Sequence, residues 1–179
     1  RPPRSTLFPY TTLFRSKTGK YKHFKNSVGE NPNVEEQTLP IILDKDGEIW
    51  AATTFGLTKF NHITGNFTNY QHNPTDKNTI NDNNILSVYE DVAGKIWVGT
   101  NQGFCILDKE REIFSNYSLS VNGNPLGIRT IAKDLKGKYW VGTQGNGIFR
   151  LSFDSNKKVI VETQISSGVE QNASQLNHN

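Results

Sequence analysis

The sequence predicts an all-β protein made of repeated four-stranded antiparallel units. The first observation is that three similar stretches recur: DKDGEIWAATTFGLTKFN from Asp44, DVAGKIWVGTNQGFCILD from Asp91 and DLKGKYWVGTQGNGIFRLS from Asp134. The second is that Trp50, Trp97 and Trp140 occupy the same place in each stretch, at intervals of 47 and 43 residues. The third is that no long segment has the 3.6-residue apolar periodicity of a helix.

The middle unit shows the order of its elements most clearly. ILSVYE is a first strand, DVAG a tight turn, KIWVGT a second strand, GFCILD a third and EIFSNYS a fourth. Four short strands repeated in the mid-forties are typical of the blades of a β-propeller. We therefore predict a partial β-propeller with about three blades, at residues 37–71, 83–118 and 126–164. An orphan fourth strand precedes them at 17–26, and an inter-blade linker follows at 165–179.

Residues that recur at one place in every unit are predicted to be structural. An aspartate and a glycine suit the tight turn between the first two strands, where the carboxylate caps backbone N–H groups. The tryptophans are expected to pack between blades more readily than to stack on a sugar. This structural set is Asp44, Gly47, Trp50, Asp91, Gly94, Trp97, Gly99, Asp134, Gly137, Trp140 and Gly142.

No metal or cofactor is expected. Asp44 and Asp46 look like part of a calcium loop, but the other ligands and its closing glutamate are absent. His23, His62, His72 and His178 lack the spacing of metal ligands. The single cysteine, Cys105, excludes an internal disulfide and is expected to pack as a small apolar residue.

Composition and charge exclude two function classes. No stretch of the chain approaches the apolar length that spans a bilayer. The net charge of +3 comes from three arginines within residues 1–16, because residues 17–179 hold 17 basic and 17 acidic side chains. Without a basic stripe elsewhere, nucleic-acid binding is not expected.

Residues 1–16 match no part of the repeat. The stretch TLFPYTTLFRS, at positions 6–16, is too short and too interrupted by Pro9 and Arg15 for a signal peptide. It resembles the translation of a sequencing adapter, and the chain contains no methionine. We predict that residues 1–16 are non-native and disordered, and that residues 17–179 are a fragment of a longer propeller.

The repeat resembles that of a known family. The pattern I-x-x-V-x-x-D-x-x-G-x-I-W-V-G-T-x-x-G runs from Ile85 to Gly103, and the linker HNPTDKNTINDNN precedes it. Both are similar to the two-component regulator propeller repeat. Unit one departs from it with Ala51 and Ala52 where the other units have Val-Gly, and unit three has an extra residue before Gly147.

This resemblance implies a sensor rather than a catalyst. Such propellers form the periplasmic, ligand-sensing part of membrane-bound hybrid histidine kinases, where they bind carbohydrate and signal across the membrane. The expected partners are the missing blades of the same chain, an oligosaccharide and, for the parent protein, possible homodimerisation. No catalytic residue is expected in the fragment.

Ligand residues are expected on the side where the units differ. The turns DKDG, DVAG and DLKG are stereotyped, whereas the connections TTFG, TNQG and TQGNG and the inter-blade linkers vary. Variable loops on a fixed scaffold commonly carry function. The candidate ligand residues are Phe55, Asn101, Gln102, Gln144, Asn146 and, as an outlying candidate, His72.

Two alternatives stay open from the sequence. A propeller enzyme acting on polysaccharide would need non-repeating acidic, histidine, tyrosine or arginine residues converging on this side. A protein-interaction scaffold would bind a protein partner and no glycan. Amide, glycine and threonine residues dominate the variable connections, which favours a sensor over an enzyme.

Overall fold

The computed structural model describes residues 40–166 and 169–172, which form strands and turns without a helix. The first sheet contains β1 (Ile41–Leu43), β2 (Ile49–Thr53), β3 (Gly56–Phe60) and β4 (Phe67–Tyr70). The second contains β5 (Ile85–Glu90), β6 (Ile96–Thr100), β7 (Gly103–Asp108) and β8 (Ile113–Tyr117). A short hairpin follows, with two residues in each strand: β9 (Ser120–Val121) and β10 (Asn124–Pro125). The third sheet contains β11 (Ile128–Lys133), β12 (Tyr139–Thr143), β13 (Ile148–Phe153), β14 (Val159–Ser166) and β15 (Val169–Asn172).

Each sheet is an antiparallel meander whose strands pair in chain order. The predicted fold class, all-β with successive four-stranded antiparallel units, is therefore confirmed. The first sheet packs against the second and the second against the third, and within the described residues the three sheets do not close into a ring. The predicted segment 1–16 and the predicted orphan strand 17–26 lie outside the described residues.

The third sheet departs from the prediction at its outer edge. Residues 165–179 were expected to be linker, but β14 extends through Ser166 and β15 adds a fifth strand, pairing Thr163 with Asn172. This strand was not predicted because Val169 is its one apolar residue. The alternation of apolar and polar residues that marks a half-buried strand is therefore missing.

One aspartate shapes the turn between the first two strands of each sheet. Asp91 Oδ1 accepts hydrogen bonds from the backbone N–H groups of Ala93 and Lys95, at 2.9 and 3.0 Å. Its Oδ2 accepts from Trp97 Nε1 at 3.1 Å. Burial raises the pKa of the Asp91 carboxyl, but the Lys95, Trp97 and other hydrogen bonds outweigh it, so the net pKa is below its ordinary value.

The same arrangement recurs in the other two sheets. Asp44 Oδ2 accepts from Trp50 Nε1 at 2.8 Å, and Asp134 Oδ2 accepts from Trp140 Nε1 at 2.9 Å. The aspartate and the tryptophan six residues later therefore form one structural unit. It joins the turn to the face of the second strand, which explains why the two residues recur together.

The sheets pack face to face through apolar side chains. Trp50, Leu57 and residues of the second sheet such as Val98 form one buried cluster. Trp97 and Phe104 pack with residues of the third sheet, including Phe149, to form another. The Trp97 ring stacks on Tyr139 of the third sheet, with 4.1 Å between ring centroids. Trp50 and Trp97 thus lie in the junctions between sheets.

Neighbouring sheets approach most closely at their first strands. Ser87 Oγ donates a buried hydrogen bond to Ile128 O at 3.0 Å. A Cβ atom on Gly99 would overlap both Ser87 Oγ and Ile128 O. Glycine is therefore required at this position of the second sheet, while the first sheet has the fully buried Ala52 in the equivalent place.

The outward faces of the first and third sheets expose apolar side chains. Ile41 and Leu43 of β1 are 47% and 67% exposed, and Ile148 of β13 is 46% exposed. Trp140 is only half-buried, whereas the equivalent Trp97 is 1% exposed beneath the third sheet. In the described part of the chain, no helix has the length and apolar character that a membrane crossing requires.

Candidate functional site

The connections between second and third strands are rigid loops. Thr100 Oγ1 accepts from the Gln102 N–H at 3.1 Å and lies 3.2 Å from Gly103 O. Gly103 has φ 110°, and a Cβ there would overlap the carbonyl oxygen of Tyr117. Thr53 makes the same two kinds of bond within its own connection. Each connection is thus held by a threonine and a glycine, and the residues between them are free to vary.

The linker between the first and second sheets, residues 71–84, is anchored beside this connection. Asn81 Oδ1 accepts from Thr100 Oγ1 at 2.8 Å and from Cys105 Sγ at 3.0 Å. Asn81 Nδ2 donates to Gln102 O at 3.2 Å. On the outer side, Asn116 Nδ2 donates to Thr79 O at 2.9 Å. The linker is therefore fixed to β6, β7 and β8 by side-chain amides.

These anchored segments border an open polar groove of about 650 Å³, here called the linker groove. Its walls are the linker, the Gln102 connection and the end of β8. The lining residues are His72, Asn81, Asp82, Asn83, Gln102, Asn116, Tyr117 and Ser118. A neighbouring cavity of about 480 Å³ shares His72, Asn81 and Asn116 with it and adds Phe114 as an apolar wall. The two cavities therefore extend along both sides of the linker.

Several polar groups of the linker groove remain available to a ligand. The Gln102 side-chain amide has no hydrogen-bond partner within the described residues, and the residue is exposed. His72 Nδ1 lies 2.7 Å from Ile80 O, and the His72 N–H donates to Asn83 Oδ1 at 2.7 Å. Because a carbonyl only accepts, His72 Nδ1 carries a proton, and the other ring nitrogen, Nε2, remains available to a ligand. The groove thus combines amide, imidazole and carboxylate chemistry.

The structure separates the six predicted ligand residues. His72 and Gln102 line the linker groove. Asn101 and Gln144 lie together on the other side of the connection, near Gly127. Phe55 and Asn146 stay within their own connections.

In the connection of the first sheet, the backbone carbonyl oxygen of Phe55 accepts a hydrogen bond from Gln71 Nε2 at 3.1 Å. In that of the third sheet, the carbonyl oxygen of Asn146 accepts one from Gln164 Nε2, also at 3.1 Å.

The sequence reasoning missed most of the groove lining. Asn81, Asp82 and Asn83 lie in the linker HNPTDKNTINDNN, which the sequence comparison ranked as variable without singling out these residues. Asn116, Tyr117 and Ser118 end a fourth strand, and nothing in a strand pattern shows that a linker from 40 residues earlier lies over it. The run of asparagines and an aspartate in the linker stretch TINDNN was the one available signal.

The opposite side of the sheets carries an acidic cluster that is occupied by a lysine of the chain. Carboxylate oxygens of Asp44, Asp46 and Glu90 lie within 4.8 Å of one another. Lys109 Nζ lies between them, at 3.0, 2.5 and 3.3 Å respectively. Burial lowers the pKa of Lys109, but its hydrogen bonds to Asp46 and Asp44 prevail, and the net pKa is well above the ordinary value. The ammonium group joins the turns of the first and second sheets.

The fold and the groove define a repeat β-propeller segment with a polar ligand-sized groove on its variable side. Residues 79–102 match the family described as two component regulator propeller, which confirms the resemblance seen in the sequence. Those residues include the end of the linker, β5, β6 and the start of the Gln102 connection. No match was found among curated proteins.

Two solved structures with a similar fold are extracellular domains of putative hybrid two component systems. The chain is similar to the extracellular domain of the putative hybrid two component system BT3049 from B. thetaiotaomicron, with a TM-score of 0.65 and 22% identity over 83% of this chain. It is also similar to that of the putative hybrid two component system BT4673 from the same organism, with a TM-score of 0.59 and 17% identity over 86% of this chain. The chain spans 21% and 23% of those two chains.

Proposed function

We propose that the chain is a segment of the extracytoplasmic ligand-sensing propeller of a bacterial hybrid two-component sensor, and that the linker groove binds a carbohydrate. The observation that carries the proposal is the groove itself. Hydrogen bonds hold its walls in place, yet Gln102, His72 and Asp82 present polar groups within it. The similarity to extracellular domains of hybrid two component systems supports this assignment and a periplasmic location.

The chemistry of the lining suits sugar hydroxyl groups. A hydroxyl both donates and accepts, so it pairs well with side-chain amides and carboxylates. The groove volume of about 650 Å³ falls within the range usual for small-molecule sites. Because Asn81 and Asn116 already fix the walls, little conformational freedom is lost when a ligand binds.

The position of the groove suggests how binding is transmitted. The linker that lines it connects β4 of the first sheet to β5 of the second, and β5 packs against both neighbouring sheets. A ligand that contacts both the linker and β8 favours one arrangement of these segments over others. We infer that occupancy biases the packing of the sheets, and through them the missing blades and the parent's subunit contacts.

The lining also favours binding over catalysis. Asp82 is the one carboxylate among the residues that line the linker groove. Glycoside hydrolysis by either common route uses two carboxyl groups that flank the scissile bond. We propose that this segment binds without turnover and that phosphotransfer belongs to a kinase elsewhere in the parent protein.

Calorimetric titration of the full chain against a panel of neutral and acidic oligosaccharides tests this proposal. At least one member should bind, and Gln102→Ala should weaken that binding by about three- to tenfold, the value of one or two neutral hydrogen bonds. The control is Lys136→Ala, in the exposed turn between β11 and β12, which should leave affinity unchanged. No binding to any member, or equal affinity of wild type and Gln102→Ala, would refute the assignment.

A further inference from the structure

A second group of polar side chains lies across the Gln102 connection from the linker groove. Asn101 Oδ1 and Gln144 Oε1 each lie 3.4 Å from the point where a Gly127 Cβ would stand, and a methyl carbon of Leu86 lies 3.3 Å from it. Gln144 N donates to Gly127 O at 2.8 Å. Two amides of adjacent sheets thus meet over an apolar floor, at the start of β11.

Arg129 stands beside these amides because of a β-bulge. The pairing of β11 with β12 shifts between Ile128 and Thr130, which leaves Arg129 as the extra residue. A bulge redirects a side chain away from the regular alternation of the strand. Arg129 is exposed, and its Nη2 donates to Gln144 Oε1 at 3.0 Å.

The arginine is not part of the repeated scaffold. The second sheet has the same bulge, between Ile85 and Ser87, but its extra residue is Leu86, which is 7% exposed. The second sheet therefore packs an apolar residue at this position. Arg129 replaces it with a cation that reaches the surface.

Within the described part of the chain, the guanidinium group of Arg129 also lacks a countercharge. No carboxylate forms an ion pair with Arg129 within residues 40–166, in contrast to Arg150, whose Nε lies 3.1 Å from Glu162 Oε2. One of its five N–H donors is used by Gln144, and the remaining donors have no protein partner in the same range. Its planar fork of N–H groups matches the geometry of a carboxylate.

We propose that Arg129, positioned by Gln144 Oε1 and flanked by the Asn101 amide, donates to the carboxylate of an acidic sugar and forms an arginine subsite. This inference rests on the proposed function, since it places one charged residue of the same oligosaccharide at the inner end of the site. Asn101 and Gln102 are adjacent in one rigid connection, so a ligand that crosses it contacts the linker groove and the arginine subsite together. The ligand class is then a uronic-acid-containing oligosaccharide.

The test uses the full chain and matched pairs of oligosaccharides, each a uronate trimer and its methyl ester, drawn from pectin, hyaluronan and alginate. Esterification removes the charge and keeps the sugar framework. At least one acidic trimer should bind at least tenfold more tightly than its ester. Arg129→Gln should weaken that trimer by about 10- to 100-fold, as loss of a bidentate charged pair predicts.

Two controls separate the possible outcomes. Arg111→Gln, which removes the same charge from the turn between β7 and β8, should leave affinity unchanged. Arg129→Lys should recover only part of it, because an ammonium group lacks the planar fork.

If neutral and esterified sugars bind, and their affinity is unchanged by Arg129→Gln, this inference is refuted and the proposed function is not. Binding of no oligosaccharide at all would overturn both. A sulfated trimer that outcompetes every uronate would show that the subsite takes a sulfate ester, which would also refute the carboxylate assignment.

Discussion

Replacement of Asp91 by alanine removes four hydrogen bonds at the junction of the second and third sheets. Two are to the turn N–H groups of Ala93 and Lys95, which water can satisfy at the surface. The other two come from Trp97 Nε1 at 3.1 Å and the Tyr139 hydroxyl at 3.2 Å, and Trp97 is 1% exposed. A buried donor without a partner costs about 1–3 kcal/mol.

We therefore expect Asp91→Ala to lower the free energy of unfolding by about 3 kcal/mol. With a urea dependence of about 2 kcal/mol per molar, the unfolding midpoint falls by about 1.5 M. Intrinsic tryptophan fluorescence of the full chain in a urea series measures that midpoint directly. The matched control is Asp134→Ala, which removes the same turn bonds and the Trp140 bond but no bond to a further sheet.

The control variant should shift the midpoint clearly less, because Trp140 is half-buried and water reaches it. Equal shifts for the two variants would refute the idea that Asp91 joins two sheets. Acid gives a second readout. Since the pKa of Asp91 is lower in the folded state, its stabilisation is present above its unfolded pKa and is lost as pH falls through the folded pKa. The stability gap between wild type and Asp91→Asn should narrow over that acid range.

Three further outcomes are expected. Lys109→Met leaves the buried Asp44 carboxylate beside other negative charges without its ammonium partner. We expect this variant to lower the free energy of unfolding by about 1–2 kcal/mol at pH 7 and by less at pH 4. Urea unfolding at both pH values measures the two changes. Gly99→Ala should lower the free energy of unfolding by about 1–3 kcal/mol through overpacking. Gly142→Ala should lower it less, because the new Cβ would meet only a threonine methyl. Equal effects of the two variants in thermal unfolding would contradict the close approach of the sheets. Burial raises the pKa of the Cys105 thiol to about 12, so it should resist a thiol reagent at pH 8 until urea unfolds the chain, and rapid native reaction would contradict its burial.

The repeat was enough to predict the fold because its signals are local. The Asp-x-x-Gly turn and the tryptophan six residues after the aspartate specify a hairpin, and three copies specify stacked sheets. The fifth strand, β15, was not predicted, because its pairing with β14 is set by their proximity along the chain rather than by an apolar pattern. Strand pairing of polar residues leaves little trace in a sequence.

The candidate site was predicted only in part. A comparison of the repeated units shows which positions vary, but not which residues lie close together in the fold. His72 and Gln102 were identified because they vary, and the structure places both in the linker groove. Asn116 was missed because its contact with Thr79 joins positions 37 residues apart. Arg129 was missed because a bulge, invisible in the sequence, turns it towards Gln144.

A structure of the full chain bound to an oligosaccharide from the binding panel tests the central claim most directly. The account predicts ligand density in the linker groove, with the Gln102 amide hydrogen-bonded to a sugar hydroxyl and no cleavage of the ligand. Density confined to the opposite side, at the turn between β5 and β6, would contradict the assignment of the groove as the sensing site.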